Sequence, residues 1–159
     1  MNSDTPALLC RRARQSDLPG LLALIADDVL GKNRDHGDPD QACYVQAFHA
    51  IDQDANQLLL VAELQGQEGE VIAMLQLTFI PGLSRRGAWR ALIESVRVSS
   101  ALRGQGIGRW LMQQAITQAR ERGCRLVQLT SDKQRQEAHR FYGSLGFVAS
   151  HDGFKLALS

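Results

Sequence analysis

A glycine-rich segment in the second half of the chain has the residue types and spacing of a phosphate-binding loop. It reads Arg103-Gly104-Gln105-Gly106-Ile107-Gly108, with Arg109 directly after it. Glycines lack a Cβ, so the backbone can turn tightly and bring successive N–H groups close to a ligand. The first turn of a following helix adds N–H groups without intrahelical partners and a partial positive charge, and the flanking arginines can donate charge-assisted hydrogen bonds. The segment therefore predicts a pyrophosphate site.

Two better-known phosphate loops do not fit these residues. A dinucleotide fingerprint needs Gly-x-Gly-x-x-Gly, but counting from Gly104 the third glycine would fall at Arg109, and no acidic partner follows about 20 residues on. A nucleoside triphosphate loop needs Gly-Lys-Ser or Gly-Lys-Thr, which the sequence lacks. What remains is Arg-x-x-Gly-x-Gly, at Arg103, Gly106 and Gly108.

Two titratable side chains could move protons, and each has a structural explanation as well. Glu94 precedes the loop on a predicted strand with apolar neighbours, and such a carboxylate is either a functional group or an edge residue facing solvent. Tyr142 follows in an apolar helical stripe with Ala138, Phe141 and Leu145, a spacing that by itself favours core packing. A carboxylate can act as a general base and a phenol can donate a proton.

The elements that would position these residues can be predicted from hydrophobic spacing and turn residues. The first half of the chain is expected to hold, in order, a strand from Leu8 to Arg12, a helix capped by Ser16 or Asp17 and ending near Gly31, a helix from Pro39 to about Asp54, and strands over Leu58 to Ala62 and Val71 to Phe79. The turn-prone stretch between the last two strands, Gln65 to Glu70, predicts an antiparallel hairpin.

A strand from Trp89 to Val98 is expected to lead directly into the glycine-rich loop. Strict alternation of side chains would place Leu92, Glu94, Val96 and Val98 on one of its faces, with Ile93, Ser95 and Arg97 on the other. The acidic side chain would then share a face with three apolar ones.

The remaining elements complete a mixed α/β fold. They are expected to be a helix from Gly106 to about Arg122 stopped by Gly123, a strand from Leu126 to Thr130, a helix from Arg135 to Leu145 ended by Gly146, and a hairpin from Phe147 to Leu158 turning at Asp152-Gly153. The predicted order is β-α-α-β-β-β-α-β-α-β-β. With 159 residues and no linker-like stretch, residues 1–159 are expected to form a single domain.

Composition narrows the possible partners. A formal net charge of +1 gives no field that would favour nucleic acid or an anionic membrane surface. The three cysteines include no Cys-x-x-Cys pair, and the four histidines have no metal-ligand spacing, so neither a disulfide framework nor a metal is expected. With no signal peptide and no 18-residue apolar segment, the protein is expected to be cytoplasmic.

Taken together, two spaced motifs and the element order resemble the GNAT N-acetyltransferase superfamily. Its members bind acetyl-CoA with an Arg-x-x-Gly-x-Gly loop after the fourth strand, as at Arg103 to Gly108. The second motif, Ala138-His139-Arg140-Phe141-Tyr142-Gly143-Ser144-Leu145-Gly146-Phe147, looks like the family's Ala-x-x-Phe-Tyr-x-x-x-Gly-Phe. The family often has an asparagine three residues before that alanine, where this chain has Arg135.

The resemblance implies roles for particular residues. Cofactor contacts are implied for Val96, Val98, Arg103, Gly104, Gln105, Gly106, Ile107, Gly108 and Arg109. The two valines would offer backbone groups to the pantetheine arm. Glu94 is implied as the general base or as the group that positions a water molecule, and Tyr142 as the proton donor to the departing thiolate. The amine would attack the thioester directly, so no covalent enzyme intermediate is implied.

The sequence does not identify the molecule that accepts the acetyl group. The family builds its acceptor site from regions that correspond here to Leu30 to Tyr44 and Pro81 to Arg90, and the second contains Arg85, Arg86 and Arg90. The segment from Gln128 to His151 also resembles that of bacterial aminoalkylphosphonate acetyltransferases, which suggests a small primary amine carrying an anionic group. Acetylation of a protein or peptide amine and a non-catalytic CoA-binding regulatory domain are the alternatives, and a homodimer fits the family.

Overall fold

The structure, a computed structural model, describes residues 7–27 and 41–159. Its elements are β1 (Leu8–Arg12), α1 (Leu18–Ala26), α2 (Ala42–Gln53), β2 (Gln57–Leu64), β3 (Ala73–Ile80), a short turn α3 (Ser84–Gly87), β4 (Trp89–Val98), α4 (Ile107–Glu121), β5 (Cys124–Leu129) and α5 (Gln136–Ser144). The mixed α/β fold and the predicted order are confirmed as far as α5. The expected end of the first helix near Gly31 and the start of the second at Pro39 lie outside the described residues.

One five-stranded sheet runs in the order β1-β2-β3-β4-β5. Neighbouring strands are antiparallel except β4 and β5, which are parallel and joined through α4. Helices cover both faces: α4 packs on one through a core that contains Leu111, Met112 and Phe79, while α1 and α2 pack on the other against Val61 and Met74. No helix in the described ranges is long and apolar enough to cross a membrane.

The expected strict alternation along β4 is wrong, because the strand contains a β-bulge. Gln76 of β3 pairs with Glu94 but Met74 pairs with Arg97, so β4 has one extra residue at Ser95 and Val96, and Ser95 adopts φ 55°. A bulge shifts the side-chain alternation by one position. Val96 and Val98 consequently pack with Ala91 and Ile93 on the α4 side, while Leu92 and Glu94 lie on the opposite face.

The terminal hairpin expected from Phe147 to Leu158 is not formed. No strand is assigned between 147 and 159, all of which the structure describes. The backbone bonds recorded there are local, from Phe147 N–H to Tyr142 O (3.1 Å) and from Ser150 N–H to Val148 O (2.9 Å). The segment pairs with no strand of the described sheet, so it forms no ladder of backbone hydrogen bonds.

A buried ionic cluster ties the first strand to its neighbours. The Arg11 guanidinium donates to both carboxylate oxygens of Asp17 (2.8 and 2.9 Å) and to Glu63 Oε2 (3.1 Å). Burial opposes ionisation of Asp17, but the bonds from Arg11 and from the Arg14 N–H outweigh it and lower its pKa. The bonds from Arg11 and from the Gly69 N–H lower the pKa of Glu63. Both carboxylates are therefore stabilised in the ionised form.

This cluster predicts an acid-dependent loss of stability. Because both pKa values are lower in the folded state, the contribution is complete above the unfolded pKa of about 4 and is lost as pH falls through the folded values. The free energy of unfolding of the wild type should therefore fall as the pH is lowered. The combined change Asp17→Asn and Glu63→Gln should make that fall smaller by about 1–3 kcal/mol. Urea unfolding between about pH 7 and about pH 2.5 measures it. An equal decline in the double variant and in the wild type would contradict the prediction. The change Glu121→Gln, on exposed α4 surface, is the control.

Candidate active site

The glycine-rich loop forms the start of α4. Gly104 (φ 79°) and Gly106 (φ 82°) both adopt left-handed backbone, which costs other residues about 1–2 kcal/mol, and Gly106 is the N-cap. Among the described residues of the loop, the first backbone N–H that donates to a carbonyl is that of Trp110, to Gly106 O (3.0 Å). Preceding N–H groups at the helix start are therefore available to an anion.

Gly108 differs from the two glycines before it. Its φ is not in the left-handed region, and a Cβ there would lie 3.5 Å from Val98 Cγ2 and 3.6 Å from Phe141 Cζ, at ordinary contact distance. A small residue here is needed because β4, α4 and α5 meet closely. Ile107 is buried in the α4 core, so only its backbone can reach a ligand, whereas Gln105 is exposed.

The two arginines beside the loop are exposed, and each donates a hydrogen bond within the protein. Arg103 donates from Nε to Val98 O (3.3 Å), and Arg109 donates from a guanidinium nitrogen to Ser144 Oγ (2.6 Å) on α5. A guanidinium has five N–H donors, so these bonds leave others for phosphate oxygens. The bond from Arg109 also links α4 to α5.

Strands β4 and β5 stop pairing beside the loop. Their register runs from Trp89 opposite Cys124 to Ile93 opposite Leu129, where β5 ends. Residues 94–98 of β4 therefore have backbone groups on the β5 side that no strand of the described sheet uses. The Val96 and Val98 carbonyls accept bonds from the side chains of Arg97 (3.0 Å) and Arg103 (3.3 Å), but a carbonyl has a second lone pair for another donor.

An open groove of about 1820 Å³ lies where the strands separate, and both Glu94 and Tyr142 line it. The residues that line it include Glu94, Val96, Ser131, His139 and Tyr142. Glu94 is exposed and lies opposite Gln76, whose Nε2 donates to Gln57 Oε1 (2.9 Å). The groove lining therefore includes a carboxylate from β4 and a phenol from α5.

Tyr142 is held by its neighbours with its phenol in the groove. Its ring contacts Phe141 (centroids 5.2 Å apart) and Phe147 (6.0 Å). Burial raises the pKa of the phenol, although the positive charges of Arg135 and Arg97 partly oppose this effect. Tyr142 consequently stays protonated at neutral pH and can donate its proton. Arg135, which stands where the family often has asparagine, lies at the N-cap of α5 and also lines the groove.

Several groove residues were missed or only partly anticipated from sequence. Ser131, which was given no role, has a buried Oγ without a hydrogen-bond partner among the described residues. The sequence feature that could have indicated a role for Ser131 is the polar stretch that follows the apolar part of β5. His139, which the sequence analysis named only as part of the second motif, also lines the groove, and its Nε2 lies 2.9 Å from Asp132 O. Of the three arginines after β3, Arg85 and Arg90 line the groove and Arg86 does not.

Two comparisons of the sequence with known proteins give matches over most of the chain. The family model described as "Acetyltransferase (GNAT) family" matches residues 26–147. The aminoalkylphosphonate N-acetyltransferase of Salmonella typhimurium is 32% identical over 153 residues, which cover 96% of this chain and 93% of that protein.

Solved structures are similar over nearly the whole chain. One, from Bacillus halodurans C-125 and described as a transcriptional regulator, is 48% identical with a TM-score of 0.91 and covers 96% of this chain and 100% of its own. Another, from Agrobacterium tumefaciens and provisionally named as an acetyltransferase, is 31% identical with a TM-score of 0.83, covering 94% and 99%. The family match, the curated relative and the shared fold together show that this chain belongs to the GNAT acetyltransferase family.

Proposed function

We propose that this chain transfers the acetyl group of acetyl-CoA to the primary amine of a small molecule. The observation that carries the proposal is the groove itself, in which Glu94 and Tyr142 lie beside the free edge of β4. That edge leads within a few residues to the glycine-rich start of α4. A donor bound along the edge would have its thioester next to both proton-transfer groups.

The donor is bound by the loop and by β4. Backbone N–H groups of Gly104, Gln105, Gly106, Ile107 and Gly108 bind the pyrophosphate, with Arg103 and Arg109 adding charge-assisted bonds. Backbone groups of Val96 and Val98 bind the pantetheine arm in the manner of an added strand. Residues 1–159 act as one N-acetyltransferase domain, and the free cysteines at 10, 43 and 124 fit a reducing, cytoplasmic setting.

The chain's own residues then move two protons. A primary amine with a pKa near 10.4 is mostly protonated at neutral pH, so Glu94 takes its proton, directly or through water. The neutral amine attacks the thioester carbonyl, and a β4 backbone N–H polarises the carbonyl oxygen. As the C–S bond breaks, Tyr142 donates its proton to the thiolate sulfur, and its phenolate then takes up the second proton that the nitrogen loses as the amide forms. The products are the acetylated amine and free CoA.

The acceptor carries an anionic group as well as an amine. Arg85 and Arg90 lie in the same groove as Glu94, and the Salmonella typhimurium relative is named for aminoalkylphosphonates. In α3, Arg85 (φ 53°) and Arg86 (φ 62°) both adopt left-handed backbone, a strained conformation of the kind often kept at binding sites. A Cβ at Gly82 would lie 3.6 Å from the Arg90 guanidinium, so that guanidinium lies beside the Gly82 backbone.

An acceptor panel tests the proposal. Acetyl-CoA consumption should be fastest with small aminophosphonates, slower with neutral amines and slowest with peptides. Arg85→Gln or Arg90→Gln should raise KM for an aminophosphonate about 10-fold or more, because a charge-assisted bond contributes about 1.5–3 kcal/mol, and should leave KM for a neutral amine within about twofold. Release of CoA thiol, followed with a chromogenic disulfide, measures both.

The matched control is Arg86→Gln. Arg86 has the same left-handed backbone and exposure as Arg85 but lies outside the groove lining, so KM should not change. If the Arg85 and Arg86 variants changed KM equally, Arg85 would not be part of an anion site. The acetyltransferase proposal would still stand. Faster turnover of peptides than of any small amine would favour the protein-acetylating alternative.

The name of the Bacillus halodurans relative favours a second candidate, a regulatory domain that binds CoA without turnover. Such a domain would bind CoA through the same loop and release no thiol with any amine. Absence of thiol release across the whole panel, together with measurable CoA binding, would support this candidate and overturn the enzymatic one.

A further inference from the structure

Two arginines from different elements lie in the same groove as Tyr142. Arg97 belongs to β4 and is half-buried, whereas Arg135 is the exposed N-cap residue of α5. Both residues line the groove, as Tyr142 does. A guanidinium stays protonated in proteins, so the groove has two permanent positive charges in addition to its proton donor. Neither charge is used by the donor and acceptor contacts described above.

Hydrogen bonds anchor both arginines beside the groove. The Arg97 guanidinium donates to Val96 O (3.0 Å), on the part of β4 that β5 leaves unpaired. The backbone N–H of Arg135 donates to Asp132 O (3.0 Å), which holds the start of α5. Arg135 and Tyr142 are seven residues apart, and two helical turns place them on about the same face of the helix. The two charges are therefore built into the walls of the groove.

These arginines act on the phenol against a mixed background of charge. Along the unpaired part of β4, the connection from β5 to α5, α5 itself and the residues after it, the groove has these other titratable side chains: Glu94, Asp132, Lys133, His139, His151, Asp152 and Lys155. Burial raises the pKa of Tyr142, and the charges that oppose this effect are those of Arg135 and Arg97. The two guanidiniums therefore favour the phenolate, which burial disfavours.

The proposed reaction turns Tyr142 into a phenolate for part of each turnover. A phenol has an ordinary pKa of about 10 and a thiol one of about 8.5, so proton transfer from the phenol to the thiolate is uphill. Burial of Tyr142 makes the transfer more costly. Glu94 has by then accepted the proton of the amine and is neutral, so its charge no longer opposes a phenolate. A positive charge nearby would lower the remaining cost.

We propose that Arg97 and Arg135 stabilise the transient phenolate of Tyr142, so that the phenol can protonate the leaving thiolate and then recover a proton from the product nitrogen. This role rests on the proposed function, because it acts through Tyr142 in that reaction. The arginines themselves transfer no proton. Asparagine, which the family often has at the position of Arg135, would not supply this charge.

The ionisation of Tyr142 tests the electrostatic link without any turnover. The chain has two tyrosines, so 3-fluorotyrosine in a Tyr44→Phe background labels Tyr142 alone. Fluorine makes the phenol more acidic, and fluorine NMR follows its titration while circular dichroism confirms that the protein stays folded. Arg97→Gln and Arg135→Gln should each move the midpoint to higher pH. Arg97→Lys and Arg135→Lys, which keep the charge, should move it less.

The matched control for this titration is Arg140→Gln. Arg140 is exposed on the same helix as Arg135 but does not line the groove, so the midpoint should not move. Unchanged midpoints in both groove variants overturn the proposal, and so does an equal shift in the Arg140 variant. If Arg97→Gln fails to fold, Arg135→Gln at its exposed position still decides the question.

Turnover tests whether the link matters in the reaction. At saturating acetyl-CoA and acceptor, Arg97→Gln or Arg135→Gln should lower kcat about threefold to tenfold, because the proton transfer becomes more uphill. In a Tyr142→Phe background no phenolate forms, so the same changes should alter kcat less than about twofold. An equal loss in both backgrounds overturns the proposal, because the arginines would then not act through Tyr142.

Failure of the proposed function would give a different result. The wild type would then release no thiol with any amine, and kcat could not be compared. The fluorine titration needs no turnover, so it would still show whether Arg97 and Arg135 favour the phenolate. Thiol release by the wild type with no shift of the midpoint in either groove variant would overturn the role of the arginines alone.

Discussion

Replacing Tyr142 with phenylalanine is expected to lower kcat by about 10²- to 10⁴-fold, the range for loss of a general acid. The aromatic contacts with Phe141 and Phe147 do not involve the hydroxyl, so Tyr142→Phe keeps the packing of α5 and removes the proton donor. Affinity for CoA should remain within about threefold. Thiol release at saturating acetyl-CoA and acceptor gives kcat, and calorimetric titration with CoA gives the affinity.

The pH dependence of kcat, measured for the wild type and for the Tyr142→Phe variant, gives a second readout. Because burial raises the pKa of Tyr142, its phenol remains protonated to a pH above the ordinary value of about 10, and its contribution is lost only as pH rises through the folded pKa. The phenylalanine variant should lack that alkaline decline. The control Phe141→Leu removes a neighbouring ring outside the groove lining, and it should lower Tm with less than about a tenfold effect on kcat. If Tyr142→Phe left kcat unchanged, Tyr142 would only pack against its neighbours and would not donate a proton in the reaction.

The parts of the fold that depend on local spacing were predictable from sequence. The left-handed residues Gly106 and Gly123 mark the two ends of α4, and its apolar stripe has helical spacing, so its bounds followed from residue type. Placing Glu94 and Tyr142 near the loop followed from the family motifs. Their presence in one groove depends on β5 ending at Leu129, opposite Ile93, which is a property of strand pairing.

The bulge in β4 could not be predicted from the same pattern. Leu92, Val96 and Val98 are all apolar and all even-numbered, so strict alternation was the simplest interpretation. Only the register with β3 shows the extra residue at Ser95, which moves the valines to the α4 side and leaves Glu94 on the other face. The alternation at Phe154, Leu156 and Leu158 likewise predicts a strand, but the structure has no strand between 147 and 159.

Replacing Gly106 with alanine is expected to raise the Kd for CoA by about 10- to 100-fold, which corresponds to one or two lost charge-assisted hydrogen bonds. Gly106 has φ 82°, and a Cβ there would lie more than 4 Å from the rest of the protein. The substitution therefore meets no protein atom. Its effects are a backbone strain of about 1–2 kcal/mol at the N-cap and a methyl group on the surface that the pyrophosphate approaches.

The matched control is Gly123→Ala, at the opposite end of the same helix. Gly123 has φ 79° and equally open surroundings, so its replacement carries the same strain without touching the proposed phosphate site. Both variants should lose a similar amount of stability, and only Gly106→Ala should lose CoA affinity in calorimetric titration. Gly108→Ala should fit, because its Cβ is at contact distance from Val98 and Phe141, whereas Gly108→Leu would push them apart. If the Gly106 and Gly123 variants bind CoA equally well, the loop does not bind the pyrophosphate and the donor must be held by β4 alone.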